Sequence, residues 1–151
     1  MTPKVTIDAC IPQELWKTQD RASVVTSLLD LARDASVDLA ITTRVDQDIP
    51  NMPLSARIRE LPEIGVQRIG APFRLNLSKL GGDDVLASTG FGEVRDSIEA
   101  ELERRGLSKQ NRPDWRDWDH LEGHYLANRD VFLTWDGDIL GIASQLKARL
   151  G

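Results

Sequence analysis

The first third of the chain reads as a strand, a helix and a second strand, and this order constrains the fold most. Residues 4–11 form a short apolar run rich in β-branched residues that Pro12 is expected to end, and residues 37–43 form a second such run. Between them, from residue 20 or 21 to residue 35, apolar side chains recur at helical spacing. A strand, a helix and a strand in this order form a right-handed crossover, so the sequence predicts a parallel sheet.

The rest of the chain continues this alternation, with a less regular middle that is rich in proline and glycine. We expect helices over residues 54–61, 93–105, 117–128 and 139–150, strands over residues 65–69, 73–77 and 131–134, and turns at residues 81–84 and 136–138. Gly106 is the expected stop of the charged helix before it. The 151 residues are enough for one packed domain, residues 1–151, and 40% hydrophobic content lies in the globular range.

The composition limits where the protein can be located and which partners it can bind. No apolar run is long enough to cross a bilayer, and the first residues lack the apolar centre of a signal peptide, so we expect a cytoplasmic protein with no membrane partner. Cys10 is the single cysteine, which excludes an internal disulfide and a cysteine-based metal site. A net charge of -5 argues against coating nucleic acid through bulk positive charge.

Acidic residues stand where the first and last predicted strands end. Asp8 closes the first apolar run, Asp136 follows the last one, and Asp117 opens a helix. Ligands gather at the carboxyl ends of parallel strands, and clustered carboxylates repel one another unless a divalent cation neutralises them. Each acid also has a structural interpretation, as a turn or helix cap. We assign Asp136 to the metal and Asp138 to capping the last helix.

Other metal and nucleotide motifs fail on spacing. His120 and His124 are four residues apart, but Glu122 is not at the position of a zinc-protease base, so we expect His120 to pack or to form hydrogen bonds. The acidic segments lack the glycine and the final glutamate of a calcium loop. No phosphate-binding P-loop is present.

Residues at the two ends of the chain form one pattern: Ile7-Asp8, Asp117-x-x-His120-Leu121 and Arg129-Asp130-Val-Phe-Leu-Thr134-x-Asp136. This pattern resembles that of the PIN domain, a nuclease fold. The resemblance implies a three-layer α/β/α domain with a central parallel sheet, an acidic pocket that binds Mg²⁺ or Mn²⁺, and cleavage of RNA. It implies that Asp8, Asp117 and Asp136 hold the metal and that the Thr134 hydroxyl lines the pocket.

A further acidic residue of the family normally follows the second strand, where this chain has Asp46 and Asp48. Both are candidates, and Asp48 fits the usual spacing slightly better, although glutamate is more frequent in the family. Cys10 stands where the family often has asparagine. We therefore take Asp8, Asp48, Asp117, Thr134 and Asp136 as the catalytic set, with the choice between Asp46 and Asp48 open.

Basic and aromatic residues near the acidic segments are candidate RNA contacts. Guanidinium groups suit phosphate, and aromatic rings stack on bases, although such tryptophans more often pack in the core. The candidates are Arg44, Arg112, Arg116, Arg129, Trp115, Trp118 and Trp135.

The favoured function is a metal-dependent endoribonuclease, in which the cation activates water for attack on a phosphodiester. From the resemblance and the small size we hypothesise that the protein is the toxin of a toxin–antitoxin pair. This role would imply an antitoxin protein as partner, with a homodimer as a further expectation. The alternative is a catalytically silent PIN-like module that binds RNA or protein. A phosphatase with Asp8 as nucleophile is a third hypothesis, but Cys10 stands where its second aspartate is expected.

Overall fold

The central element of the structure is one parallel sheet. The computed structural model describes residues 1–17, 20–49, 57–72, 83–85, 93–104 and 115–150. Within these residues the strands are β1 Lys4–Ile7, β2 Asp38–Thr42, β3 Val66–Ile69 and β4 Val131–Leu133. Their order is β3-β2-β1-β4, and every neighbouring pair is parallel. An α/β fold with a central parallel sheet is thereby confirmed.

Helices occupy most of the remaining described chain. They are α1 Cys10–Trp16, α2 Ala22–Arg33, α3 Val45–Asp48, α4 Glu93–Arg104, α5 Trp115–Leu126 and α6 Gly137–Leu150, with a 3-10 helix at Leu61–Ile64. In this part of the chain no helix combines the length and the apolar character needed to span a membrane.

The two faces of the sheet contact different helices. Alternate strand residues such as Ile7 and Ile41 share one buried cluster with Leu29 of α2. Their sequence neighbours point to the opposite face because side chains alternate along a strand. There Thr6 and Thr42 contact two histidines of α5. The complete three-layer arrangement stays a prediction.

A second buried cluster joins the three C-terminal helices. Its members come from α4, α5 and α6, and they are Ile98, Trp118, Leu121, Ile139, Ile142 and Leu146. Phe132 of β4 packs against this cluster, so the helices are tied to the edge of the sheet. This packing fixes the start of α5 beside the ends of β1 and β4.

The prediction that Pro12 ends the first strand is wrong. β1 stops at Ile7, and Pro12 lies in the first turn of α1, where it is buried. Proline lacks an N–H, but the first N–H groups of a helix have no acceptor within the helix, so proline is tolerated there. The residue therefore helps to begin a helix instead of ending a strand.

Other predicted boundaries shift by a few residues or lie outside the description. The last helix begins at Gly137, two residues before the predicted start, and Leu61 opens the 3-10 helix instead of ending an α-helix. The predicted strand 73–77 and the stop at Gly106 lie outside the described residues, as does the first half of the turn at 81–84.

Candidate functional site

The ends of β1 and β4 bring Asp8 and Thr134 together. The Asp8 amide donates to the carbonyl oxygen of Leu133, the last residue of β4, at 2.9 Å. The Thr134 hydroxyl then donates to Asp8 Oδ2 at 2.6 Å, and both side chains are buried. Residues 126 positions apart thus meet at the carboxyl edge of the sheet.

Further donors hold the Asp8 carboxylate in one orientation. The Ala9 amide donates to Oδ1 at 2.6 Å, and the Cys10 thiol donates to Oδ2 at 3.3 Å. Burial, and then the negative charge of Asp8, raise the pKa of Cys10 to about 11. The thiol is therefore protonated at neutral pH and acts as a hydrogen-bond donor, not as a nucleophile.

Asp136 both faces the site and caps the last helix. Its Oδ1 accepts from the amides of Asp138 at 2.7 Å and Ile139 at 3.1 Å, which are the first N–H groups of α6 that need acceptors. Its own amide donates to Thr134 Oγ1 at 2.9 Å. The prediction that Asp138 caps this helix is wrong, because the helix starts at Gly137 and the preceding residue takes that role.

The two candidates for the fourth acidic residue of the site, Asp46 and Asp48, both lie on the short helix α3 but contact different partners. Asp48, its last residue, is hydrogen-bonded to His120 Nε2. Asp46 instead forms an ion pair with Arg68, with 2.7 Å between Oδ2 and Nη2. The structure thus places Asp48 at the acidic site and Asp46 against β3.

These residues surround a cavity of about 200 Å³. Its lining residues are Asp8, Ala9, Cys10, Gln13, Asp48, Asp117 and Asp136. The four aspartates come from the end of β1, the end of α3, the first turn of α5 and the segment after β4. Thr134 contacts Asp8 without lining the cavity itself.

Asp117 experiences the charge of this cluster most clearly. Its burial, and then the charges of Asp8, Asp136 and Asp48, raise its pKa to about 7, while His120 acts in the opposite direction. Near neutral pH a large fraction of Asp117 is therefore protonated in the absence of a cation. The fold holds four carboxylates close together, and their mutual repulsion costs free energy that a bound positive charge would offset.

The donor set suits a hard divalent cation, since Mg²⁺ and Mn²⁺ prefer carboxylate oxygens. Across the described ranges, however, no three Asp, Glu, His or Cys side chains are drawn together closely enough to hold one ion. A hard cation such as Mg²⁺ is usually held by one or two carboxylates and keeps several water ligands, so a closed set of three side chains is not required.

Asp117→Asn should stabilise the cation-free protein at pH 8. The folded-state pKa of about 7 exceeds the ordinary value of 3.8, so between these values the folded state holds a proton that the unfolded state has released. Stability therefore falls as pH rises from 3.8 to about 7, and the loss is complete at pH 8. Asparagine removes this loss. Melting temperatures measured with chelator should be higher for the variant at pH 8 and equal to wild type near pH 3. The gain should be modest because Asp117 is only half-buried. An unchanged melting temperature at pH 8 would contradict the charge cluster.

Two arginines that the sequence suggested as RNA contacts are buried in the fold. The Nε of Arg44 lies 3.0 Å from Asp119 Oδ2, and its Nη2 donates to the Pro72 carbonyl at 2.5 Å. The Nη2 of Arg129 lies 2.9 Å from Asp38 Oδ1 and donates to the Val5 carbonyl at 3.2 Å. The prediction that they bind RNA is wrong, because their charges face internal partners. Arg112 and the side chain of Arg116 lie outside the description.

The tryptophans near the acidic residues differ in their surroundings. Trp118 is buried in the second cluster and is unavailable for stacking on bases. Trp135 packs against the first cluster, and the exposed Arg21 guanidinium lies 4.5 Å from its ring centroid. Sequence reasoning missed Arg21, because only the fold brings it next to the segment between Thr134 and Asp136. The side chain of Trp115 is outside the described residues.

Arg129→Ala should lower the free energy of unfolding by about 1–3 kcal/mol, because a buried charged group loses its hydrogen bonds to the backbone and to Asp38. Chemical denaturation measures this change. Arg33→Ala is the matched control, since its ion pair with Asp30 is exposed and is expected to contribute about 0–1 kcal/mol. Equal effects of the two substitutions would contradict a structural role for Arg129.

Comparisons of the chain with protein-family models, with curated proteins and with solved structures found no match.

Proposed function

We propose that this protein is a metal-dependent endoribonuclease that hydrolyses RNA phosphodiester bonds at the acidic cavity. The observation that carries the proposal is the convergence of Asp8, Asp48, Asp117 and Asp136 on one cavity at the carboxyl edge of the sheet. The raised pKa of Asp117 supports it, since carboxylates whose pKa is shifted by burial and by like-charged neighbours are concentrated at functional sites. The resemblance of the strand-end residues to the PIN domain supports the choice of RNA.

The negative charge of the cavity means that RNA cleavage there requires a bound cation. Four aspartates would repel an RNA phosphate, so the cavity can accept the substrate only with positive charge between them. Asp8, Asp117 and Asp136, with Asp48 beside them, would hold Mg²⁺ or Mn²⁺. The bound cation would activate water and offset the charge that develops on the phosphate.

The protein's own groups keep these carboxylates oriented. Thr134 donates to Asp8 and accepts from the Asp136 amide, so one hydroxyl links two of the acids. The Asp136 carboxylate is fixed by the first amides of α6. Hydrogen-bonded carboxylates lose less conformational freedom when they bind a ligand, which favours binding.

The direct test is cleavage of a mixed single-stranded RNA by the purified protein with Mn²⁺, with Mg²⁺ and with chelator. The proposal expects cleavage with either cation and none with chelator. Contaminating nuclease is controlled with Asp117→Asn protein that is purified in parallel. Absence of cleavage by folded protein across several RNA substrates and both cations would contradict the proposal.

The second candidate is a silent module of the same fold that binds RNA or protein. One observation favours it: in the described part of the chain, no three Asp, Glu, His or Cys side chains lie close enough together to hold one metal ion. The two candidates differ in Mn²⁺ binding, which isothermal titration calorimetry measures. An enzyme should bind Mn²⁺ through the cavity aspartates, and Asp8→Asn should abolish this binding. A silent module should not bind Mn²⁺ at the cavity, so Asp8→Asn should not change the titration.

The biological role we propose is that of a toxin whose activity a protein antitoxin blocks by covering the acidic cavity. The proposal rests on the PIN resemblance. A homodimer and a cytoplasmic location belong to the same proposal.

A further inference from the structure

Two consecutive residues of α5 hold the two ends of the short helix α3. Arg44, which precedes α3, contacts Asp119, and Asp48, which ends α3, contacts His120. A helix of four residues has too few internal hydrogen bonds to be stable alone. Its orientation, and with it the direction of the Asp48 carboxylate, therefore depends on these contacts with α5.

The His120 ring is fully buried between a strand end and the cavity. Its Nδ1 lies 2.5 Å from Thr42 Oγ1, at the end of β2, and its Nε2 is hydrogen-bonded to Asp48 Oδ2. A carboxylate only accepts hydrogen bonds, so the ring proton belongs on Nε2. The Thr42 hydroxyl can donate or accept, so it satisfies Nδ1 whether or not that nitrogen carries a proton. Both partners are satisfied as long as Nε2 carries a proton.

We propose that His120 is a positioning residue, whose Nε2–H holds the Asp48 carboxylate in the cavity while Thr42 fixes the ring. The effect on metal binding rests on the proposed function, whereas the hydrogen bond itself does not. Loss of His120 would remove one of the contacts that orient the Asp48 side chain, and ordering the acid would then cost more free energy when the site binds a cation.

His124, one turn further along α5, is a natural control. Its Nδ1 also meets a strand hydroxyl, Thr6 Oγ1, at 2.9 Å, and its ring packs edge-on against Phe132 at 5.5 Å between centroids. It does not line the cavity and has no hydrogen bond to a cavity aspartate among the described contacts. Burial lowers the pKa of His124 to about 4, so it is neutral at pH 7. The two histidines differ chiefly in the contact with Asp48.

The first experiment reads the hydrogen bond without any metal. The chain has only two histidines, so long-range proton–nitrogen spectra of the imidazoles contain two patterns, which His124→Gln assigns. We expect a proton on His120 Nε2, with an Nε2–H signal that shifts in Asp48→Ala while His124 stays unchanged. An Nδ1–H tautomer, or an Nε2 signal that ignores Asp48→Ala, would overturn the proposal.

The second experiment measures the dissociation constant for Mn²⁺ by calorimetry. His120→Leu removes the donor, and we expect about 10–100-fold weaker binding, the usual cost of losing an outer-shell partner. His120→Gln keeps an N–H donor at the end of the side chain and should recover most of the affinity, and His124→Leu should bind like wild type. Circular dichroism confirms that each variant is folded.

The outcomes separate the two proposals. Absence of Mn²⁺ binding by wild type would contradict the metal-dependent function, and the spectra would still decide the role of His120. Wild-type affinity in a folded His120→Leu variant would overturn the positioning role. A folded His120→Gln variant that binds as weakly as His120→Leu would overturn the donor assignment. If His120→Leu fails to fold, the Gln variant and the Asp48→Ala spectra decide.

Discussion

Asp8→Asn should lower metal-dependent RNA cleavage by at least about 100-fold, since loss of a mere outer-shell partner typically costs 10–100-fold and Asp8 is expected to bind the cation directly. The Ala9 amide and the Thr134 hydroxyl donate to different oxygens of Asp8, so asparagine can keep its oxygen toward the Ala9 amide and place its NH₂ group beside the Thr134 hydroxyl, which can accept. The substitution removes only the negative charge and one carboxylate oxygen. The fold should therefore survive while the site loses its affinity for the cation.

Single-turnover cleavage rates at increasing Mn²⁺ concentration measure this effect, with melting curves as the check on folding. Asp48→Asn and Asp117→Asn should also lower the rate. The matched control is Asp46→Asn, because Asp46 lies on the same short helix as Asp48 but pairs with Arg68 outside the cavity. Cleavage by Asp8→Asn at the wild-type rate would contradict the nuclease site.

Asp119→Ala should lower the free energy of unfolding by about 3–5 kcal/mol, the usual cost of removing one partner of a buried ion pair. Both side chains of the pair between Arg44 and Asp119 have 0% exposure. Asp119 also binds Arg95, with 2.8 Å between Oδ1 and Nη2. The substitution leaves the Arg44 guanidinium buried without its carboxylate.

Urea unfolding measures this loss, and the unfolding curve should shift to lower urea with an unchanged slope. The paired substitution Arg44→Met with Asp119→Leu should recover much of the stability, because it removes both charges. Asp30→Ala, which breaks an exposed ion pair with Arg33, is the control and should change stability little. A loss below about 1 kcal/mol for Asp119→Ala would show that the pair contributes no more than a surface pair.

The parallel sheet could be predicted from the sequence because its evidence is local. Residues 4–11 and 37–43 are apolar and β-branched, and the helix between them shows its periodicity within a few turns. Boundaries were harder, since they depend on which groups satisfy the first N–H groups of a helix. Pro12 proved compatible with a helix start, and Asp136 proved to be the cap instead of Asp138.

The acidic site was predictable only in part. Asp8 and Asp136 follow strands, and the carboxyl ends of parallel strands share one edge, so their meeting follows from topology. The choice between Asp46 and Asp48 depends on the rotation of α3, since residues two apart on a helix point in roughly opposite directions. The contact with His120, 72 residues away, decides which of them faces the cavity.

The sequence by itself determined the α/β class and the strand-end acids, because both follow from short-range patterns and the geometry of parallel strands. Only the tertiary structure decided which charges are internal. Arg44 and Arg129 look like surface cations in the sequence, yet each is buried against an aspartate distant in the chain. Burial depends on which segments pack together, and that information is not present in the spacing of nearby residues.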